Sequence, residues 1–241
     1  MHGGGCPSGS FTNHHDTTEA LADAGIVAAI NHPGDNFRDM SRCADLSVIV
    51  ERPTDIKRLR DFMLGASPAA FKIDPEPTGF FGFSRGGYTG LVLVGANPDW
   101  ATATEFCQRA ERPICPPIRR KEFPMQPFVH DPRIKAAVIA DPGPVFFFTR
   151  TSLAAISVPL RLWASERGNP FVTPESVAAV DRNLPAKHEY HVVRNSRHED
   201  FFLCPPALAK DPERTDASGF DRVVFRKQFN ADVLAFFRTY L

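Results

Sequence analysis

The sequence holds 241 residues, 43% of them hydrophobic, enough for one large core and too few for a second complete domain beside it. Its 28 basic residues balance 28 acidic ones, which excludes the strong field that draws in nucleic acid or an anionic membrane surface and favours a small, roughly neutral substrate. No apolar run approaches the ~20 residues of a membrane span, and Met1-His2-Gly3-Gly4-Gly5 has neither the basic nor the apolar region of a signal peptide, so a soluble chain is expected.

In chain order, a helix is expected from Asp16, with Glu19 three residues on as in a capping box, ending at Gly25. Residues 25–30, Gly-Ile-Val-Ala-Ala-Ile, are the first predicted strand. A second helix is predicted from about Thr54 to Gly65, with Ile56, Leu59 and Met63 on its core face. Residues 78–83 read as a strand running straight into Ser84, and residues 86–94 as a buried helix of small and apolar side chains. The stretch 100–131 breaks the alternation with two cysteines, five prolines and mixed charge, and reads as a cap-like insertion within one domain spanning 1–241. Beyond it, residues 135–140, 158–163 and 189–193 are three more strands. Residues 220–240 form a closing helix with Phe225, Phe229, Val233 and Phe236 on one face. Short apolar strands alternating with helices predict an α/β fold with a mostly parallel sheet covered on both faces.

Five cysteines (Cys6, Cys43, Cys107, Cys115, Cys204) show no spacing typical of zinc, so no metal is expected. Cys107 and Cys115 flank a short polar loop, either as a disulfide of an oxidising compartment or as two free thiols.

The chemistry concentrates in Gly82-Phe83-Ser84-Arg85-Gly86. A G-x-S-x-G turn between a strand and a helix holds its serine in a strained conformation above the sheet, and glycines let the two elements approach closely. The Arg85 N–H at the helix start then faces a developing oxyanion. His2-Gly3-Gly4-Gly5 matches the loop that supplies a second oxyanion donor, with Gly4 N–H as the candidate. His198, in the loop after the last strand, is placed to act as general base. The rivals are weaker: His188 and His191 lie on or next to that strand, His14 and His15 begin a helix, and His130 belongs to the insertion. His32 reads as a surface-loop residue, with a pocket-lining position as the other reading. Two carboxylates, Asp141 and Glu166, end strands between Ser84 and His198, and either can serve as the acid that orients the imidazole.

Gly82-Phe83-Ser84-Arg85-Gly86-Gly87, Ile139-Ala140-Asp141-Pro142, Trp163-Ala164-Ser165-Glu166 and Ser196-Arg197-His198 together resemble the predicted dienelactone hydrolases related to platelet-activating-factor acetylhydrolase, over nearly the whole chain. The resemblance implies the α/β-hydrolase fold and hydrolysis of carboxylic esters through an acyl-enzyme, with no metal or organic cofactor. It also implies oxyanion donors at the backbones of Gly4 and Arg85, and it favours Asp141 as the acid, since the acetylhydrolase branch carries its acid at that strand end and a glutamate at the loop matching Glu166. True dienelactone hydrolases use a cysteine nucleophile where Ser84 stands, so dienelactone does not follow as substrate.

In that fold the histidine-glycine loop follows a third strand lying mid-sheet. This chain starts at the loop, so a sheet lacking its N-terminal strands is expected. A native start further upstream would leave room for a signal peptide, and with it a periplasmic or secreted location. The expected partner is a small-molecule ester with a short or medium acyl or an aromatic group. A phospholipase-like acetylhydrolase, a polyester hydrolase and, in another class, a non-catalytic ligand-binding protein of the same fold are the alternatives. Phe123, Phe128 and Phe146-Phe147-Phe148 are read either as walls of an apolar pocket or as core packing.

Overall fold

A computed structural model describes residues 1–4, 9–185, 187–203 and 216–241. Gly5, Cys6 and Cys204, named above, lie outside the described residues.

Four strands form the central sheet: β1 (Thr78–Phe83), β2 (Ile134–Ala140), β3 (Leu160–Ser165) and β4 (His188–Val193), all parallel and in sequence order across the sheet. Their apolar runs are near-continuous because both faces are buried. The period-two alternation still sorts side chains between faces. Phe80, Ala137, Ile139 and Leu162 join one core cluster, with Leu46 and Ile49 of α2 (Leu46–Gly65), Leu91 of α3 (Arg85–Leu93) and Val177 of α7 (Pro174–Asn183). Phe81, Phe83, Val138, Ala140 and Trp163 join the other, with Phe229, Val233 and Phe236 of α8 (Arg222–Tyr240). The predicted α/β architecture with a parallel sheet covered on both faces is therefore observed.

Three sequence expectations change. Residues 25–30 are not a strand: they pair with no strand among the described residues, Ile26 is 50% and Val27 38% exposed, and they line a cleft of about 680 Å³ together with residues of β1. A β-prone run becomes a strand only beside a ladder partner. The free edge of β1 is met instead by Met1, whose N–H donates to Phe81 O (2.9 Å) and whose carbonyl accepts from Phe83 N–H (3.2 Å). The helix that opens the chain is α1 (His15–Ala22), with no side-chain cap of its own. Asp16 pairs instead with Arg226 (2.6 Å) and Asn230 (2.9 Å), tying α1 to α8. Finally, α2 begins eight residues before Thr54, at Leu46, capped by the Asp45 carboxylate on Ser47 N–H (2.9 Å). Pro53 lies inside it; the bond that Pro53 forgoes is offset by the burial of Leu46, Val48, Ile49 and Val50.

Residues 100–131 carry α4 (Trp100–Arg109) and α5 (Cys115–Arg119), joined by a Cys107–Cys115 disulfide. The short α6 (Arg150–Leu153) leads into β3. Among the described residues no helix is long and apolar enough to cross a membrane.

Candidate active site

Ser84 joins β1 to α3 with φ +53° and ψ −119°, a conformation rare for a residue with a Cβ. The turn is imposed from both sides. A Cβ on Gly82 would lie 2.3 Å from the Gly86 carbonyl oxygen, and one on Gly86 would lie 2.6 Å from the Met1 carbonyl oxygen. The sheet ladder continues past the strand ends and holds this region in register: Ser84 N–H donates to Ala140 O (2.9 Å), and Asp141 N–H donates to Trp163 O (2.8 Å).

His198 approaches Ser84 from the loop after β4. Its Nε2 is 3.0 Å from Ser84 Oγ, and its Nδ1 is 2.9 Å from Asp141 Oδ2. The ring lies on Phe83, centroids 4.6 Å apart, and its main chain is pinned by donation to Gly168 O (3.3 Å). With Asp141 accepting, Nδ1 carries the proton and Nε2 is the acceptor for Ser84 Oγ–H. Asp141 is fully buried and also accepts from the Ser165 N–H (2.8 Å) and the Ser165 hydroxyl, so each carboxylate oxygen is committed. Glu166 points elsewhere: it is exposed, and its Oε2 accepts from Asn195 N–H (2.7 Å). Of the two candidate acids, the fold brings only Asp141 to His198.

The His2–Gly4 loop also lies against Ser84. A Cβ on Gly3 would lie 3.2 Å from Ser84 Cβ. Gly4 and Arg85 both line the cavity above the serine, and neither of their N–H groups donates to a protein acceptor among the described residues. The loop's carbonyls face away. Arg52 in α2 donates to His2 O (2.6 Å) and Gly3 O (3.2 Å), and to Asp35 Oδ2 (2.5 Å). Asp35, fully buried, also accepts from Arg85 (2.8 Å). Burial pulls the Arg52 pKa down to about 10, which leaves it charged at neutral pH. His32 N–H donates to His2 Nε2 (3.4 Å), so His2 Nδ1 donates to Gly3 O (2.7 Å). Burial, reinforced by Arg52, pushes the His2 pKa down to about 2.

The remaining histidines do not reach Ser84. His32 is 1% exposed, correcting the surface-loop reading; it bonds Asp55 (2.8 Å) and is absent from the cavity wall. His14 is buried against Phe81 and Phe83. His188 bonds Asp181 (2.7 Å), His191 stacks on Trp163, and His130 bonds Ala96 O (3.2 Å).

The cavity over Ser84 holds about 590 Å³, with apolar walls from Ile114, Phe146, Phe171, Val172 and Phe202. Only one of the five phenylalanines proposed from sequence, Phe146, lines it. Phe147 and Phe148 pack on Tyr88 in the core, while Phe123 and Phe128 stack on Trp100. Arg52, Asp35, Phe171 and Phe202 were not singled out from sequence. Arg52 and Asp35 are 17 residues apart, Phe171 faces Arg112 and Phe202 packs on Phe83 from segments still further apart, and no local spacing marks such pairs.

No protein-family model matches the sequence, and no curated protein is similar to it. Among solved structures, a dienelactone hydrolase from Anabaena variabilis is 13% identical, aligned over 96% of this chain and 80% of that one with a TM-score of 0.50. A ferulic acid esterase from Streptomyces cinnamoneus is 17% identical, aligned over 88% of this chain and 55% of that one with a TM-score of 0.53. The fold is that of the α/β-hydrolases.

Proposed function

We propose that this protein is a serine hydrolase of carboxylic esters, with Ser84 as nucleophile, His198 as general base and Asp141 as the acid of the triad. The observation that carries this reading is the unbroken hydrogen-bonded series Ser84 Oγ, His198 Nε2, His198 Nδ1, Asp141 Oδ2 at the floor of an apolar cavity. His198 Nε2 takes the Ser84 proton as Oγ attacks the ester carbonyl. The imidazolium then returns that proton to the departing alkoxide, leaving an acyl-serine. Water activated by the same nitrogen releases the acid. Asp141 holds the imidazole in the tautomer with Nδ1–H and balances its charge while it is protonated. Gly4 N–H and Arg85 N–H receive the tetrahedral oxyanion, the latter at the positive end of α3. The cavity volume and its aliphatic and aromatic walls suit a short or medium acyl group or an aryl group.

The test is a nitrophenyl butyrate assay together with a fluorophosphonate probe, on the parent chain and on Ser84→Ala. The parent should turn over the ester and take one label at Ser84, and the variant should do neither. A correctly folded parent that takes no label would rule the enzyme reading out in favour of a ligand-binding protein.

A further inference from the structure

Arg52 makes two contacts that ordinary charge pairing does not require. A buried ion pair with Asp35 would satisfy one side of its guanidinium, and such pairs add little stability over apolar side chains of similar volume. Yet Arg52 also spans two successive loop carbonyls, His2 O (2.6 Å) and Gly3 O (3.2 Å), from a helix 49 residues away in sequence. The second contact matters because a trans peptide is planar, with its C=O and N–H pointing in opposite directions. Holding Gly3 O toward Arg52 turns the N–H of the same peptide, that of Gly4, away from Arg52. Gly4 lines the cavity of Ser84 on that side. Gly3 and Gly4 carry no Cβ to bias the peptide themselves, so an unanchored Gly3–Gly4 unit can rotate at small cost. The flipped form would aim a carbonyl oxygen, not a donor, at the position where negative charge develops.

The same device reaches the second donor. Asp35 gives one carboxylate oxygen to Arg52 (2.5 Å) and the other to the Arg85 guanidinium (2.8 Å), and Arg85 also donates to Cys43 O (3.0 Å). One buried carboxylate thereby links the side chain that orients the Gly3–Gly4 peptide to the residue whose own N–H opens α3. His2 adds a further bond to Gly3 O (2.7 Å), and its pKa near 2 keeps it neutral beside Arg52.

We propose that Arg52 is a positioning residue for catalysis, locking the Gly3–Gly4 peptide in the orientation that presents Gly4 N–H to the oxyanion. This rests on the reading of the protein as a serine esterase with Gly4 as an oxyanion donor.

The experiment uses Arg52→Met and Arg52→Lys in the full chain, each checked for folding by circular dichroism and thermal melting. The readouts are kcat and KM for nitrophenyl butyrate, and inhibition by phenylboronic acid, whose tetrahedral serine adduct places a hydroxyl where the oxyanion forms. Arg52→Met should lower kcat about 10²–10³-fold, the scale of losing one oxyanion donor, and change KM by less than about threefold. Phenylboronic acid affinity should fall alongside kcat. Arg52→Lys, whose single ammonium cannot hold both carbonyls and Asp35 in one plane, should fall between Met and the parent. A folded Arg52→Met that keeps the parent kcat overturns the proposal, and so does a loss confined to KM. If neither variant folds, Arg52 serves the fold alone and the proposal is likewise overturned. A parent chain inert to both ester and fluorophosphonate refutes the esterase reading itself, and the proposal falls with it; this outcome is read before any variant is made.

Discussion

The two flanks of Ser84 are built differently. On one, Asp141 stands at the end of β2 in a parallel ladder that extends beyond the strands through Asp141 N–H to Trp163 O and Ser84 N–H to Ala140 O, and His198 follows β4 with its N–H on Gly168 O. Asp141 is fully buried and the His198 imidazole is backed by Phe83. On the other flank, the His2–Gly4 loop has two main-chain hydrogen bonds to the edge of β1 through Met1, a bond from His32 N–H to the His2 ring, and the Arg52–Asp35–Arg85 ion network. Backbone pairing holds Asp141 and the turn before His198; side-chain contacts, most of them charged, hold the loop. The base side should therefore tolerate change in its surroundings and fail only when a member of the series is altered. The loop side should respond to charge and to pH.

The largest effect expected is that of Asp141→Asn. The amide would favour the wrong imidazole tautomer without moving the ladder, so kcat should fall about 10⁴-fold with the melting temperature nearly unchanged. A small loss in steady-state assays would mean that the imidazole is oriented by something other than Asp141.

The next effect sets the flanks apart by pH. His2, its pKa pushed to about 2, and His14, held well below the usual 6.5, are both kept neutral by burial in the fold. Once unfolded they take up protons near pH 6.5, so the unfolded chain binds more protons below that pH and stability is lost as pH falls. Each contributes about 1.4 kcal/mol per pH unit below about pH 6, and His32, likewise held well below 6.5 by burial, adds to the same loss. Urea midpoints at pH 7, 6 and 5 should fall accordingly. Amide exchange should rise first in residues 1–4 and 10–36 and only later in β2–β4. Equal midpoints at pH 7 and 5 would show that these imidazoles reach water in the folded chain.

The smallest effect expected is that of Glu166→Gln. Its side-chain oxygen can still accept from Asn195 N–H at the exposed end of β3, and kcat should change by less than about threefold. If it instead loses more activity than Asp141→Asn, the two carboxylates exchange roles.

Local pattern was enough for much of this molecule. The strand–Ser84–helix turn is legible because Gly82 stands where only a missing Cβ lets β1 meet the start of α3, while Gly86 leaves room for the Met1 carbonyl. The four strands of the sheet are legible as apolar runs, within two residues at each end. His198 is legible as a loop residue after the last strand. Asp141 and Glu166 could not be separated by the residues alone, since both end strands at the same edge of the sheet; the distance to His198 separates them. Residues 25–30 have the composition of a strand and lack a neighbour to pair with, which no sequence window contains. The beginning of α2 was hidden by Pro53, whose local rule yields to burial and to the Asp45 cap.

The sequence by itself determined the α/β pattern, the Gly82-to-Gly86 turn motif and the residue types available for ester chemistry, because these are written in residues close in the chain. Tertiary structure alone decided which carboxylate faces the imidazole, which phenylalanines line the cavity, and that Arg52 and Asp35 hold the loop beside Ser84. The polar outcomes depend on hydrogen bonds and ion pairs such as Arg52–Asp35, 17 residues apart, and His198–Asp141, 57 apart, and the phenylalanines on packing between distant segments; that geometry exists only once the sheet has brought the segments together.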